Sequence, residues 1–95
     1  MIRLDDDVLH LSGELSLANL MAYRREIENL LPRSGSVTVN LTELVVHGSA
    51  VLSLLVFLRR RAGATGGAVT FTGCSDVVRQ MARVAELEEL LGLTV

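Results

Sequence analysis

Lysine is absent from this chain: all nine basic residues are arginine, set against eleven acidic ones, for a net charge of −2. That balance argues against the broad basic footprint that neutralises nucleic-acid phosphates. Aromatic residues make up only 3% of the chain, and Tyr23, Phe57 and Phe71 are the only rings, so there is no platform on which successive bases could stack. The single cysteine, Cys74, cannot close an internal disulfide, and no paired Cys or His spacing suggests a zinc site. The longest apolar stretch, Ala50 to Leu58, is interrupted by Ser53 and falls far short of the roughly 20 residues of a membrane helix. Met1 to Asp7 carries three acidic residues where a secretory signal needs a basic start and an apolar run. The expectation is a cytoplasmic chain with no metal, no cofactor and no membrane insertion.

What is present is aliphatic. Hydrophobic residues form 49% of the 95 positions, enough for one small domain over residues 1–95 with a core of Leu, Val and Ala. Val8 to Ser12 reads as a strand ending at Gly13, with Ile2 to Leu4 pairing across the turn Asp5 to Asp7. Ser16 is placed to cap a helix reaching Leu31, with Leu20, Tyr23, Ile27, Leu30 and Leu31 inward and Arg24, Arg25, Glu26 and Glu28 facing water; Pro32 and Gly35 then stop it. Val37 to Leu41, and Val69 to Thr72 after the Gly66-Gly67 turn, alternate apolar and polar residues. Leu9, Leu11, Val37, Val39, Leu41, Val69 and Phe71 share one face, while His10, Ser12, Thr38, Asn40, Thr70 and Thr72 share the other. A last helix from Ser75 to Ala85 places Val78, Met81, Ala82 and Ala85 on one stripe, followed by Leu87, Leu90 and Leu91, with a short closing strand at Leu93 to Val95. The order β-β-α-β-α-β-α predicts an α/β domain of two layers: a mixed β-sheet with helices mainly on one face.

The informative segment runs from Val45 to Arg61. Its helix is expected to begin with Ser49 as cap and to end at Gly63. At 100° per residue, Val51, Leu54, Leu55, Leu58 and Ala62 gather on one side and Ser49, Leu52, Ser53, Val56 and Arg60 on the other, with Phe57 at the flank. A helix apolar almost all round is normally buried all round, yet a domain this small has little to place against a second face. Two readings stay open: Leu52, Val56 and Phe57 are ordinary core, or they form a partner surface of the kind that exposed apolar patches mark. Arg59 to Arg61 are read as complementing the helix dipole. Ser49 serves as helix cap, partner contact or both. A Ser49 nucleophile with His47 as base is disfavoured, because no acidic orienter is near in sequence and no nucleophile-elbow pattern is present. Cys74 is read as a small loop residue, and Ser75 and Asp76 as the start of the last helix.

The segments Leu11-Ser12-Gly13-Glu14-Leu15, Val39-Asn40-Leu41 leading through Val46 to Gly48-Ser49-Ala50-Val51-Leu52-Ser53-Leu54-Leu55, and Gly67 to Gly73, in this order and spacing, resemble a STAS domain along nearly the whole chain. In the anti-sigma-factor antagonist branch, the loop before the central helix reads Asp-Ser-Ser-Gly, and a kinase that is also the anti-sigma factor phosphorylates the second serine. The matching positions here are His47-Gly48-Ser49-Ala50, which keep the serine but lose the acidic residue and the glycine. The chain is more similar to the small STAS subunit of Mla-type phospholipid ABC complexes, in which this loop and helix dock on the cytoplasmic ATPase. The resemblance implies a non-enzymatic accessory subunit, held peripherally at an inner-membrane complex that maintains outer-membrane lipid asymmetry. The implied contact residues are His47, Gly48, Ser49, Ala50, Leu52, Ser53, Val56, Phe57 and Arg60, with Ser75 at the start of the last helix. The alternative it carries is an antagonist phosphorylated at Ser49 by an anti-sigma kinase.

Overall fold

The computed structural model describes residues 2–31 and 35–93. Strand β1 (Ile2–Asp5) and strand β2 (Val8–Leu15) form an antiparallel hairpin across Asp6 and Asp7. A short 3-10 turn over Leu17–Asn19 leads into helix α1 (Leu20–Leu30). Strand β3 (Val37–Val46), helix α2 (Ala50–Ala64), strand β4 (Val69–Thr72), helix α3 (Asp76–Val84) and the single turn α4 (Glu88–Leu91) follow. The sheet order is β1-β2-β3-β4, with the β2-β3 and β3-β4 pairs parallel. This is the expected mixed sheet.

The helices lie on one face. Leu9, Leu11, Leu15, Val39 and Leu41 project from the sheet into a core completed by Tyr23 and Ile27 of α1, Val51, Leu54, Leu55 and Leu58 of α2, and Val78 and Ala82 of α3. Helix α2 is the hub of this layer, touching α1, α3, α4, β3 and β4. The opposite sheet face carries the half-exposed His10, Ser12, Thr38 and Asn40 and the exposed Thr70 and Thr72, as strand parity requires.

Strand β3 runs five residues beyond the expected Leu41. His10 pairs with Asn40 but Ser12 pairs with Glu43, so Leu41 and Thr42 together oppose Leu11 in a β-bulge. Asn40 Oδ1 holds the bulge by accepting from the Thr42 N–H at 3.0 Å and from Thr42 Oγ1 at 2.7 Å. The extra residue reverses parity, and Leu44 and Val46 now pack against the core while Glu43 and Val45 are exposed.

Other boundaries also moved. Ser16 and Asn19 form a capping box at the 3-10 turn before α1, in which Asn19 Oδ1 accepts the Ser16 backbone N–H at 2.9 Å. Leu30, expected inward, is 38% exposed because α1 ends there, whereas Leu31 is buried. Ala85 and Leu90 are exposed rather than packed, since α3 stops at Val84 and α4 starts a new turn. Helix α2 ends at Ala64, where the Gly67 N–H donates to the Ala62 carbonyl at 2.9 Å. Leu93 is buried but not in a strand; Pro32 and residues 94–95 lie outside the described residues.

The bulge is locked from the neighbouring strand end. A Cβ at Gly73 would collide with Thr42, including its backbone nitrogen at 2.7 Å, whereas a Cβ at Gly48 would meet nothing within 4 Å; both glycines have positive φ, +71° and +74°. Gly48→Ala is therefore expected to cost only the left-handed strain of about 1–2 kcal/mol. Gly73→Ala should cost about 1–3 kcal/mol more, because it forces atoms into an occupied space. Urea denaturation of the two variants measures the difference, and equal losses would contradict the contact.

Candidate functional site

The parallel strands end together. Leu15 pairs with Val46, and the His47 N–H donates to the Leu15 carbonyl at 2.8 Å. In open α/β sheets, ligands bind outside this carboxyl edge of the strands. The edge brings Glu14 to His47, with Nε2 and Oε1 2.7 Å apart. Sequence reasoning found no acidic residue near His47, because this one arrives through strand pairing across thirty-three positions. Both side chains are more than half exposed, so the pair contributes at most about 1 kcal/mol. It turns the imidazole Nε2 toward Glu14.

Gly48, with φ +74°, turns the chain into α2. Ser49 occupies the cap position, but its side chain makes no cap hydrogen bond. The reason is backbone geometry: Ser49 has φ −98° and ψ 7°, whereas a side-chain cap requires extended backbone. Ser75 has that backbone, φ −73° and ψ 161°, and its Oγ accepts from the Val78 N–H at 3.3 Å. Ser49 is exposed. It makes no hydrogen bond to His47, whose Nε2 faces Glu14 instead, so nothing in the loop resembles a nucleophile held by its base.

From this loop the outward stripe of α2 runs along the surface. Val51, Leu54, Leu55, Leu58 and Ala62 are buried, as their angular positions require. Leu52, Val56 and Phe57 are only half buried, and Ser53 and Arg60 are exposed. These five line an open groove of about 600 Å³. The side chains of the apolar stripe lean on the core and still face outward. Ala50 leaves the candidate surface, being 7% exposed and part of the core. His47, Gly48 and Ser49 lie at the head of the helix, and Ser75 at the start of α3; none of these four lines the groove.

Three groove residues were not singled out from sequence. Arg24, expected simply to face water, lies over the Phe57 ring with its guanidinium carbon 4.4 Å from the centroid, within the range of a cation–π contact. Leu87, from the turn before α4, forms part of the wall. Arg61 also lines the groove, its Nε bonded to Glu28 Oε1 at 2.7 Å. It is the basic residue of the last turn of α2, the placement the helix dipole favours. Arg24 and Phe57 lie on different helices, so only the packing of α1 on α2 joins them.

Two further groups are shifted by their surroundings. Burial, then Glu26 and Glu14, push the Tyr23 hydroxyl above its ordinary value; its proton is donated to the Ser12 carbonyl at 2.7 Å. Burial also pushes the Cys74 thiol up, with Arg79 pulling it down and Asp76 pushing it up. A raised thiol is a poor nucleophile at neutral pH. Among the described residues no helix is long and apolar enough to cross a membrane.

A search of curated proteins finds no match to the chain. Among solved structures, that of the anti-sigma factor antagonist SpoIIAA in its unphosphorylated form superposes with a TM-score of 0.70 at 19% identity, over 94% of this chain and 82% of that one. The likeness is one of fold. A family model described as "Mlab, STAS domain" matches residues 2–92, which with the mixed sheet and its single helical layer places the chain in the STAS domain family, in the MlaB-like branch.

Proposed function

We propose that this domain is a non-enzymatic accessory subunit that docks on the cytoplasmic ATPase of an ABC-type phospholipid transporter, peripheral to the inner membrane, and supports its assembly. The observation that carries the reading is the second apolar face of α2. Leu52, Val56 and Phe57 stay half exposed in a groove although burying each further would be favourable by roughly 25 cal/mol per Å². The exposed loop His47 to Ser49 adjoins the head of the same helix. The family described by the matching model supports the choice of partner.

A second reading, an anti-sigma factor antagonist, is favoured by one specific feature. Ser49 is exposed and its hydroxyl is not used as a cap, so a kinase could reach it, and a phosphate there would meet the positive end of the α2 dipole.

Ser53 is exposed, so Ser53→Arg is expected to leave the thermal melt unchanged while abolishing co-purification with the ATPase; undiminished co-purification would reject the surface. Mass spectrometry after incubation with an anti-sigma kinase and ATP separates the two readings. The transporter subunit is expected to remain unmodified, and stoichiometric phosphate on Ser49 would favour the antagonist.

A further inference from the structure

The groove beside α2 combines an apolar floor with charge of one sign. Leu52, Val56, Phe57 and Leu87 supply the floor, and every charged side chain that lines it is an arginine. This is a local departure in a chain whose acidic residues outnumber its basic ones, eleven to nine. Among the described residues neither Arg24 nor Arg60 has a carboxylate partner. Arg24 is also oriented in advance. Its guanidinium lies over Phe57, and among the described residues its one hydrogen bond, to Met21 Sδ, is 3.8 Å long. A stacked guanidinium keeps its in-plane N–H donors for a bidentate acceptor, with less rotamer entropy left to lose.

Leu52, Val56 and Arg60 follow one another at four-residue steps on α2, so apolar floor and basic end succeed each other over about 12 Å of helix. That is the length over which a helical ligand presents anchors one or two turns apart. We infer that the groove receives an acidic amphipathic helix of the ATPase, its apolar residues on Leu52, Val56 and Phe57 and its carboxylates on Arg24 and Arg60. The inference rests on the docking reading above and specifies the chemistry of the docked element. Charge complementarity selects this occupant over a second copy docked groove to groove, which would set arginine against arginine.

The test is isothermal titration of the ATPase with the wild-type domain and with the double variant Arg24→Glu/Arg60→Glu, at low and moderate salt, with circular dichroism to check that both are folded. Arg24→Gln/Arg60→Gln serves as a milder pair should charge reversal disturb the fold. Wild type should bind with an affinity that falls as salt rises. The variant should lose about tenfold or more in Kd, together with most of that salt dependence. A folded variant that binds within about twofold of wild type, with the same salt dependence, overturns the inference and leaves the docking reading standing. No binding by wild type removes the docking reading and the inference together. Retained ATPase binding with lost binding to anionic phosphatidylglycerol vesicles assigns the arginines to a lipid surface and also overturns it.

Discussion

Helix α2 carries apolar side chains around more of its circumference than its surroundings can cover. A four-strand sheet with all helices on one side offers α2 one deep contact. Val51, Leu54, Leu55 and Leu58 take it, each almost wholly removed from water. Helices α1, α3 and α4 flank α2 without closing over its back, so Leu52, Val56 and Phe57 remain between core and solvent. The core contact holds the helix, and with it the second face, in place. On the proposed docking reading, stability and binding lie on opposite sides of one helix.

The head of that helix is positioned by the sheet. The bulge at Thr42 lets β3 keep its pairing with β2 while changing which side chains face inward, so that Val46 reaches the core beside Leu15. Without the extra residue, Leu44 and Val46 would point to the polar face and Glu43 into the core. The bulge therefore determines where β3 ends and where His47 emerges, next to Glu14. Gly73 closes on Thr42 from β4 and ties the start of α3 to the same edge.

Much of this was legible from residue order because it depends on short periods. The alternation in Val8 to Ser12 and Val69 to Thr72, and the 100° stepping that separated Val51, Leu54, Leu55 and Leu58 from Leu52, Ser53 and Val56, are local properties of the chain, and the fold preserves them. The features that escaped are those in which a distant segment decides. The parity break at Thr42 makes one ten-residue strand look like a short strand and a loop. Glu14 and His47 meet only once β2 and β3 are in register. Arg24 finds Phe57 only when α1 lies on α2. Ser49 looked like a cap because residue type favours it, but its near-zero ψ takes the hydroxyl away from the helix amides. Ser75, with extended backbone, does cap.

The central claim is that the unburied side of α2 is a contact surface held ready by the buried side. Hydrogen–deuterium exchange of the domain alone and in the presence of the ATPase tests it most directly, because the polar face of the sheet serves as an internal reference. Slowed exchange over residues 49–60 and around Leu87, with residues 38–40 and 70–72 unchanged, is the predicted result. Slowed exchange on the sheet face with α2 unaffected would contradict the account.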